Sequence, residues 1–312
     1  MNKTWMRFGF VFSVSMVLLA AGCGEEDEIG NEEEGAEESS DENGEGEDAT
    51  NYNEEMDYNI VGIDAGTGVM ASTEDAIEDY DLDFNLQSSS DSAMAQELET
   101  AIEDEEPIVV TAWTPHWKFN IHDIKFLDDP EGSFGETEDI HTIVHPDLEE
   151  EHPEAFEMLD NFYWDEDDMG EVMGLLAEDV EPEEAGRTWV DDNEDMVAEW
   201  TEGVDEVDGE NIELSSGAWE SELSSTAVVQ TMLEDMGYNV NVSTMELSIM
   251  WAAVAEGEAH AHVAGWLPHT AAAQNEEYGD DVVDLGPNLE NARIGLAVPE
   301  YMDIDSIEDL QE

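Results

Sequence analysis

The chain has 312 residues, with 85 Asp and Glu against 6 Lys and Arg and a formal charge of −79. No nucleic-acid partner is expected, because neutralising phosphates needs clustered Lys and Arg, and adhesion to anionic lipid headgroups is disfavoured for the same reason. The apolar fraction stays at 40% with nine tryptophans, so the charge is expected to decorate an ordinary core; its self-repulsion implies a saline habitat, where the screening length falls to ~3 Å at 1 M salt.

Lys3 and Arg7 precede an apolar run from Phe8 to Leu19 that ends in Ala20-Ala21-Gly22-Cys23, the pattern of a secretory signal. The run falls short of the ~20 apolar residues that a membrane span needs. Small residues immediately before a cysteine resemble the lipobox of bacterial lipoproteins, in which the signal is removed and the thiol carries a diacylglycerol. The family more often has leucine three residues before the cysteine, where Ala20 stands here. Cys23 is the only cysteine in the chain, so it is read as a lipid attachment point after a signal at 1–22. Residues 23–58 are Glu, Asp, Gly, Asn and Ser with almost nothing apolar, and are read as a disordered acidic tether kept extended by its own charge.

About 255 residues follow, comfortable for two α/β lobes. Asn59–Asp64 reads as a strand entering the turn Gly66-Thr67-Gly68-Val69 and then a helix. Asp91–Glu105 reads as a helix with Met94, Leu98 and Ile102 on one face, leading to a strand over Pro107–Trp113. A second set follows: a strand at Asn211–Leu214, a helix over Glu222–Met236, a strand over Asn239–Thr244, a helix over Glu246–Glu256 and a strand over Ala259–Trp266. Alternating strands and helices imply parallel sheets with covered faces. Ile140–Val144 and Arg293–Val298 are expected to connect the lobes, giving a first lobe of 59–140 plus 297–312 and a second of 141–296.

Trp113, Trp219 and Trp266 each stand at the C-terminal end of a predicted strand, the edge where open α/β sheets bind ligands. Two of them enter matching turns, Trp113-Thr114-Pro115-His116-Trp117 and Trp266-Leu267-Pro268-His269-Thr270. Facing indoles from two lobes could enclose a quaternary ammonium, which has no N–H to donate and is held by cation–π attraction of ~2 kcal/mol when desolvated. An anionic group on the same ligand would be met by backbone amides at Gly66–Val69, where a helix begins. Removing the signal leaves only Lys118, Lys125, Arg187 and Arg293 as cationic side chains.

Several segments in one order, Gly62-Ile-Asp-Ala-Gly-Thr-Gly-Val-Met70, Ser88-Ser-Ser-Asp-Ser-Ala-Met94, Val110-Thr-Ala-Trp-Thr-Pro-His-Trp117, Phe126-Leu-Asp-Asp-Pro130, Glu138-Asp-Ile-His-Thr142, Gly265-Trp-Leu-Pro268 and Ile294-Gly-Leu-Ala-Val-Pro-Glu-Tyr-Met302, resemble the glycine betaine binding proteins of ABC importers. The resemblance covers Asn59 to Glu312. It implies an α/β, two-lobed type II periplasmic-binding-protein fold, in its circularly permuted branch, with the ligand cleft between the lobes. It further implies a three-tryptophan prism of Trp113, Trp219 and Trp266 around a trimethylammonium, amides of Gly68 and Val69 on the carboxylate, and delivery to an ABC transporter permease by a monomer tethered outside the cell through lipid. Choline, carnitine or a sulfonium solute is the alternative ligand. The family also places a histidine one or two residues past the Trp-Leu-Pro turn; here His269 follows Pro268 directly and Ala271 holds the matching place.

His260 and His262 share one face of a strand at a spacing that could ligate zinc or copper, but no cysteine joins them and no metal or cofactor is expected. Asp165-Glu166-Asp167-Asp168-Met169-Gly170 is similar to a calcium loop, with Met169 at an oxygen-ligand position and no closing carboxylate, and is read as an acidic surface flanking a helix. No nucleophile elbow or phosphate loop is visible, so no enzymatic activity is expected.

Overall fold

The computed structural model of the chain describes residues 52–311. The expected signal, Cys23 and the segment read as tether up to residue 51 lie outside the described residues. In chain order the strands are β1 (Asn59–Val61), β2 (Asn85–Gln87), β3 (Val109–Thr114), β4 (Ile124–Phe126), β5 (Glu138–Val144), β6 (Asn211–Ser216), β7 (Asn239–Thr244), β8 (Ala261–Leu267) and β9 (Val283–Pro299). They join laterally in the order β2-β1-β3-β9-β5-β8-β6-β7, with β4 also on β9.

The pairing follows from the connections. Helices Gly68–Asp79 and Asp91–Asp104 carry the chain back between β1, β2 and β3, so these three are parallel. Helices Glu220–Asp235 and Leu247–Ala255 do the same for β6, β7 and β8. The 17-residue β9 pairs antiparallel with β5 over Val283–Ala292 and then antiparallel with β3 over Arg293–Ala297, while β5 in turn pairs antiparallel with β8. Sheet pairing therefore passes from β5 to β3 inside one continuous strand, between Ala292 and Arg293. Central β8 reads Ala-His-Val-Ala-Gly-Trp-Leu and is buried along its whole length, whereas edge β7 alternates Asn and Val and stays largely wet.

Among the described residues the only buried acids are Asp91, Glu138 and Glu222, so the charge does decorate the surface. The last residues expected to belong to a tether, Tyr52–Tyr58, are folded. Tyr52–Glu55 forms a helical turn, Asn53 Nδ2 donates to the Leu310 carbonyl at 3.0 Å, and the Tyr52 hydroxyl accepts the Asp303 N–H at 3.1 Å. Tyr52, Met56 and Tyr58 supply enough apolar surface to dock this end on the first lobe, Tyr58 meeting the edge of Phe84 at 5.8 Å. The C-terminal segment lies on the same lobe, with the Tyr301 hydroxyl donating to Glu106 at 2.6 Å.

Between β5 and β6 lies a helical insert with no counterpart in the sequence reading: Pro153–Asn161, Glu166–Ala177, Pro182–Asp192 and Glu194–Trp200. Acidic faces masked its periodicity. Its core is aromatic, with Trp189 stacked on Trp200 at 5.8 Å and edge-on to Trp164 at 5.6 Å, so these tryptophans are packing residues. The calcium-like run is the start of a helix. Asp165 Oδ1 accepts the Asp167 and Asp168 N–H groups, each at 3.0 Å, and Asp168 returns a bond to the Asp165 N–H at 3.1 Å. The insert docks through Gly186, where an added Cβ would fall 2.5 Å from the Ala227 carbonyl oxygen on helix Glu220–Asp235. G186V is expected to force the two helices apart at a cost of about 1–3 kcal/mol, read as a lower thermal midpoint; an unchanged midpoint would mean the helices separate freely.

Candidate ligand-binding site

A small cavity of about 50 Å³ lies where the two lobes meet. Trp113 comes from β3, with Ile294 of β9 directly opposite it in register, and Trp266 comes from β8 opposite Ile140. Both strands end in cis X-Pro bonds, Thr114–Pro115 and Leu267–Pro268. Trp219 is placed differently from the sequence reading. It lies beyond the end of β6 as the N-cap of helix Glu220–Asp235, and its ring packs flat over Gly217, where any Cβ would overlap it. All three indoles line the cavity, together with Gly68, Val69, Ile63, Leu247 and Ile294.

The opposing polar wall is the start of helix Gly68–Asp79. Its N-cap Thr67 makes no side-chain cap; the hydroxyl instead donates backward to the Asp64 carbonyl at 3.0 Å. The N–H groups of Gly68, Val69 and Met70 therefore have no acceptor among the described residues, and they sit at the positive end of a 12-residue helix. Gly68 is also where the lobes touch: a Cβ there would overlap the Thr270 carbonyl oxygen.

Thr270 is itself fixed by the buried Glu138 of β5, whose carboxylate accepts the His269 N–H at 3.1 Å, the Thr270 N–H at 2.9 Å and the Thr270 hydroxyl. This backbone clamp turns the His269 side chain outward. Its ring lies against Gly135 and is not part of the cavity wall, which Thr270 and Ala271 form instead.

A second buried network lies behind Trp113. The Lys118 ammonium, fully buried, stands 4.1 Å from the centroid of the Trp113 ring. Burial pulls its pKa down to about 8, against the attraction of Asp91 and Glu220. Burial and Lys118 together push His116 down to about 4, so it is neutral. Its Nδ1 accepts the Lys118 N–H at 3.2 Å, leaving Nε2 to donate to Asp91 at 3.3 Å. Glu220 from the other lobe closes the network: its N–H donates to Asp91 at 3.2 Å and its carboxylate accepts the Trp117 indole N–H. Burial and the charge of Asp91 raise Glu220 to about 7. Trp117 thus serves this bridge and does not line the cavity.

His260 and His262 part company in the fold. His262 is buried against Trp251 at 5.2 Å and burial holds its pKa down at about 3. His260 meets His152 at 5.1 Å near Glu151. Glu151–His152–His260 and Asp91–His116–Glu220 each bring three ligand-type side chains within 4.8 Å of one another. His260 and His116 each accept a backbone N–H at Nδ1, so Nε2 carries the proton and has no lone pair to give.

Missed from the sequence were Thr270 as cavity wall, Glu138 as its clamp, and Glu222, a cavity-lining acid in the first turn of helix Glu220–Asp235. Burial pushes Glu222 up to about 8, opposed by its bond from the Gly217 N–H. Among so many acids nothing local marked it.

An apolar aromatic cavity between two α/β lobes, walled at one side by free backbone amides, defines a solute-binding protein. Residues 35–192 and 210–312 match the substrate-binding domain of ABC-type glycine betaine transport systems, and the chain belongs to that family. Over 262 residues it is 50% identical to the glycine betaine/carnitine transport binding protein GbuC of Listeria monocytogenes, covering 83% of this chain and 87% of that protein. Among solved structures, lactococcal OpuAC, closed and complexed with glycine betaine, is 42% identical over 46% of this chain and 58% of its own, at a TM-score of 0.45. The glycine betaine, L-proline binding protein ProX of Borrelia burgdorferi is 35% identical over 47% of this chain and 57% of its own, also at 0.45. Both alignments span less than two thirds of the solved chains.

Because Gly68 meets Thr270 across the cleft, G68A is expected to weaken glycine betaine binding by about 1–3 kcal/mol, roughly five- to 150-fold, while leaving the thermal midpoint of the free protein unchanged. A midpoint that falls with the affinity would locate the damage in the first lobe's own packing.

Proposed function

We propose that this protein captures glycine betaine, or a close quaternary-ammonium relative such as carnitine, on the outer side of the membrane and delivers it to the permease of an ABC importer as a single copy. One observation carries the reading: Trp113, Trp219 and Trp266 share a cavity with the acceptor-free amides of Gly68 and Val69. A trimethylammonium has a low charge density and no donor, so stacked π faces hold it at little desolvation cost. A carboxylate needs donors, and the helix start supplies them without a cationic side chain. Approach of Gly68 to Thr270 would seal both ends from water and present a closed form to the permease. His269 is not required in this scheme, since the amides take the carboxylate and Ala271 leaves room beside them.

Titration of the wild type with glycine betaine, alongside W113A and W117A, tests the assignment. W113A is expected to lose at least about 2 kcal/mol, roughly thirtyfold, and W117A much less, because Trp117 faces the Glu220 bridge. Equal losses would show that the wrong ring has been assigned to the ligand.

The lipobox-like Ala20-Ala21-Gly22-Cys23 and the single cysteine support attachment through a diacylglycerol on Cys23. The two acyl chains of a diacylglycerol would hold the protein at the membrane without any spanning helix, and among the described residues no helix is long and apolar enough to cross a membrane. Radiolabelled fatty acid fed to expressing cells should appear on the wild type and not on C23A; label retained by C23A would remove the anchor from the scheme.

A further inference from the structure

Glu222 is the one ionisable side chain among the residues that line the cavity. It is only 3% exposed. Oε2 accepts the Gly217 N–H at 3.0 Å, the one hydrogen bond seen to this carboxylate among the described residues. A Cβ on Gly217 would fall 2.7 Å from Oε2 while overlapping the Trp219 ring. The carboxylate and the indole thus pack on the same glycine, which puts Glu222 at the aromatic end of the cavity.

The charged groups on neighbouring elements are engaged elsewhere. Glu220 is bonded by Trp117, Asp91 by His116, and Glu138 by Thr270. Lys118 lies over Trp113 outside the cavity lining, and on the packed helix Pro182–Asp192 Arg187 pairs with Asp191 and Asp235. On helix Glu166–Ala177, Asp168 is held in its own capping box and Glu171 is exposed. No cation pairs with Glu222 among the described residues. A buried carboxylate with one backbone donor and no counter-ion is a costly arrangement, and here it stands beside the ring cage suited to a quaternary cation.

We propose that Glu222 is the counter-ion of the cage, so that the site selects the positive charge of the head group and not merely its trimethyl shape. This rests on the quaternary-ammonium reading above and deepens it. Burial holds the proton on Glu222 to about pH 8 in the free protein. A cation against the carboxylate favours its charged form, so binding near neutral pH drives that proton to the buffer. The sign follows: affinity rises with pH until Glu222 is already ionised in the free protein, then levels. Choline, a cation with no carboxylate for Glu222 to repel, gains more from Glu222 than glycine betaine does. The uncharged-head isostere 3,3-dimethylbutanoate gains nothing.

Calorimetry in two buffers of different ionisation enthalpy, at about pH 7, reads the proton directly. The wild type is expected to release up to about one proton per glycine betaine or choline, with affinity rising by up to about tenfold per pH unit between roughly pH 6 and 8. E222Q should abolish both effects, weaken choline by about tenfold at alkaline pH, and narrow the preference for glycine betaine over the isostere. Buffer-independent enthalpy with pH-flat affinity in the wild type would overturn the proposal, whether or not E222Q folds. Failure of every quaternary cation to bind the wild type would instead overturn the reading of the cage itself.

Discussion

Desolvation of carboxylate is the constraint on which this structure turns. A chain with 85 acidic residues keeps three of them inside its described part, and all three border the ligand cavity or the contacts that shape it. Glu138 is compensated by two backbone N–H groups and a hydroxyl, and in return it fixes Thr270 where the lobes touch. Asp91 is raised by burial but drawn net below the usual carboxylate range by His116 and Lys118, and it receives the first N–H of the helix that begins at Glu220. Glu222 has only Gly217. Three degrees of compensation correspond to three jobs: a clamp, an interlobe bridge and a group left with capacity for a ligand.

Around these charges the sheet supplies rigidity and a place to flex. Because β9 pairs with both β3 and β5, Ile294, which stands opposite Trp113 of β3, is carried on a strand that pairs a few residues earlier with β5. Cavity walls from the two lobes are thereby connected through backbone hydrogen bonds, while Gly68 lies directly against the carbonyl and methyl of Thr270. Closure can then be a rotation about a continuous strand, in the manner of hinge-bending binding proteins. The Lys118 ammonium behind Trp113 adds a fixed cation against one indole of the cage, so that ring already holds a cation besides any it would share with a ligand.

Much of the fold was legible in the sequence. The predicted strands at Asn59, Pro107, Asn211, Asn239 and Ala259 and the helices between them appear within a few residues of their expected bounds. Short β-branched runs and helical apolar spacing record dihedral preference directly. Three features resisted that reading. The helices between Pro153 and Trp200 carry acids on every exposed turn, which flattens their apolar contrast. Tyr52–Tyr58 resembled tether because three docking side chains are sparse among acids. Trp219 was assigned to a strand end, although it caps a helix.

The sequence by itself determined the class of ligand chemistry. Large π faces and a glycine-rich helix start are properties of residue type and local spacing, and they persist whatever packs around them. The tertiary structure alone decided which acids lose their water, that His269 turns toward Gly135 instead of the cavity, and that Gly68 lies against Thr270. Those outcomes depend on contacts between residues more than a hundred positions apart, such as Glu138 with Thr270 and Asp91 with Glu220. Burial is set by the whole fold, so one glutamate among many became distinct only when the lobes came together around it.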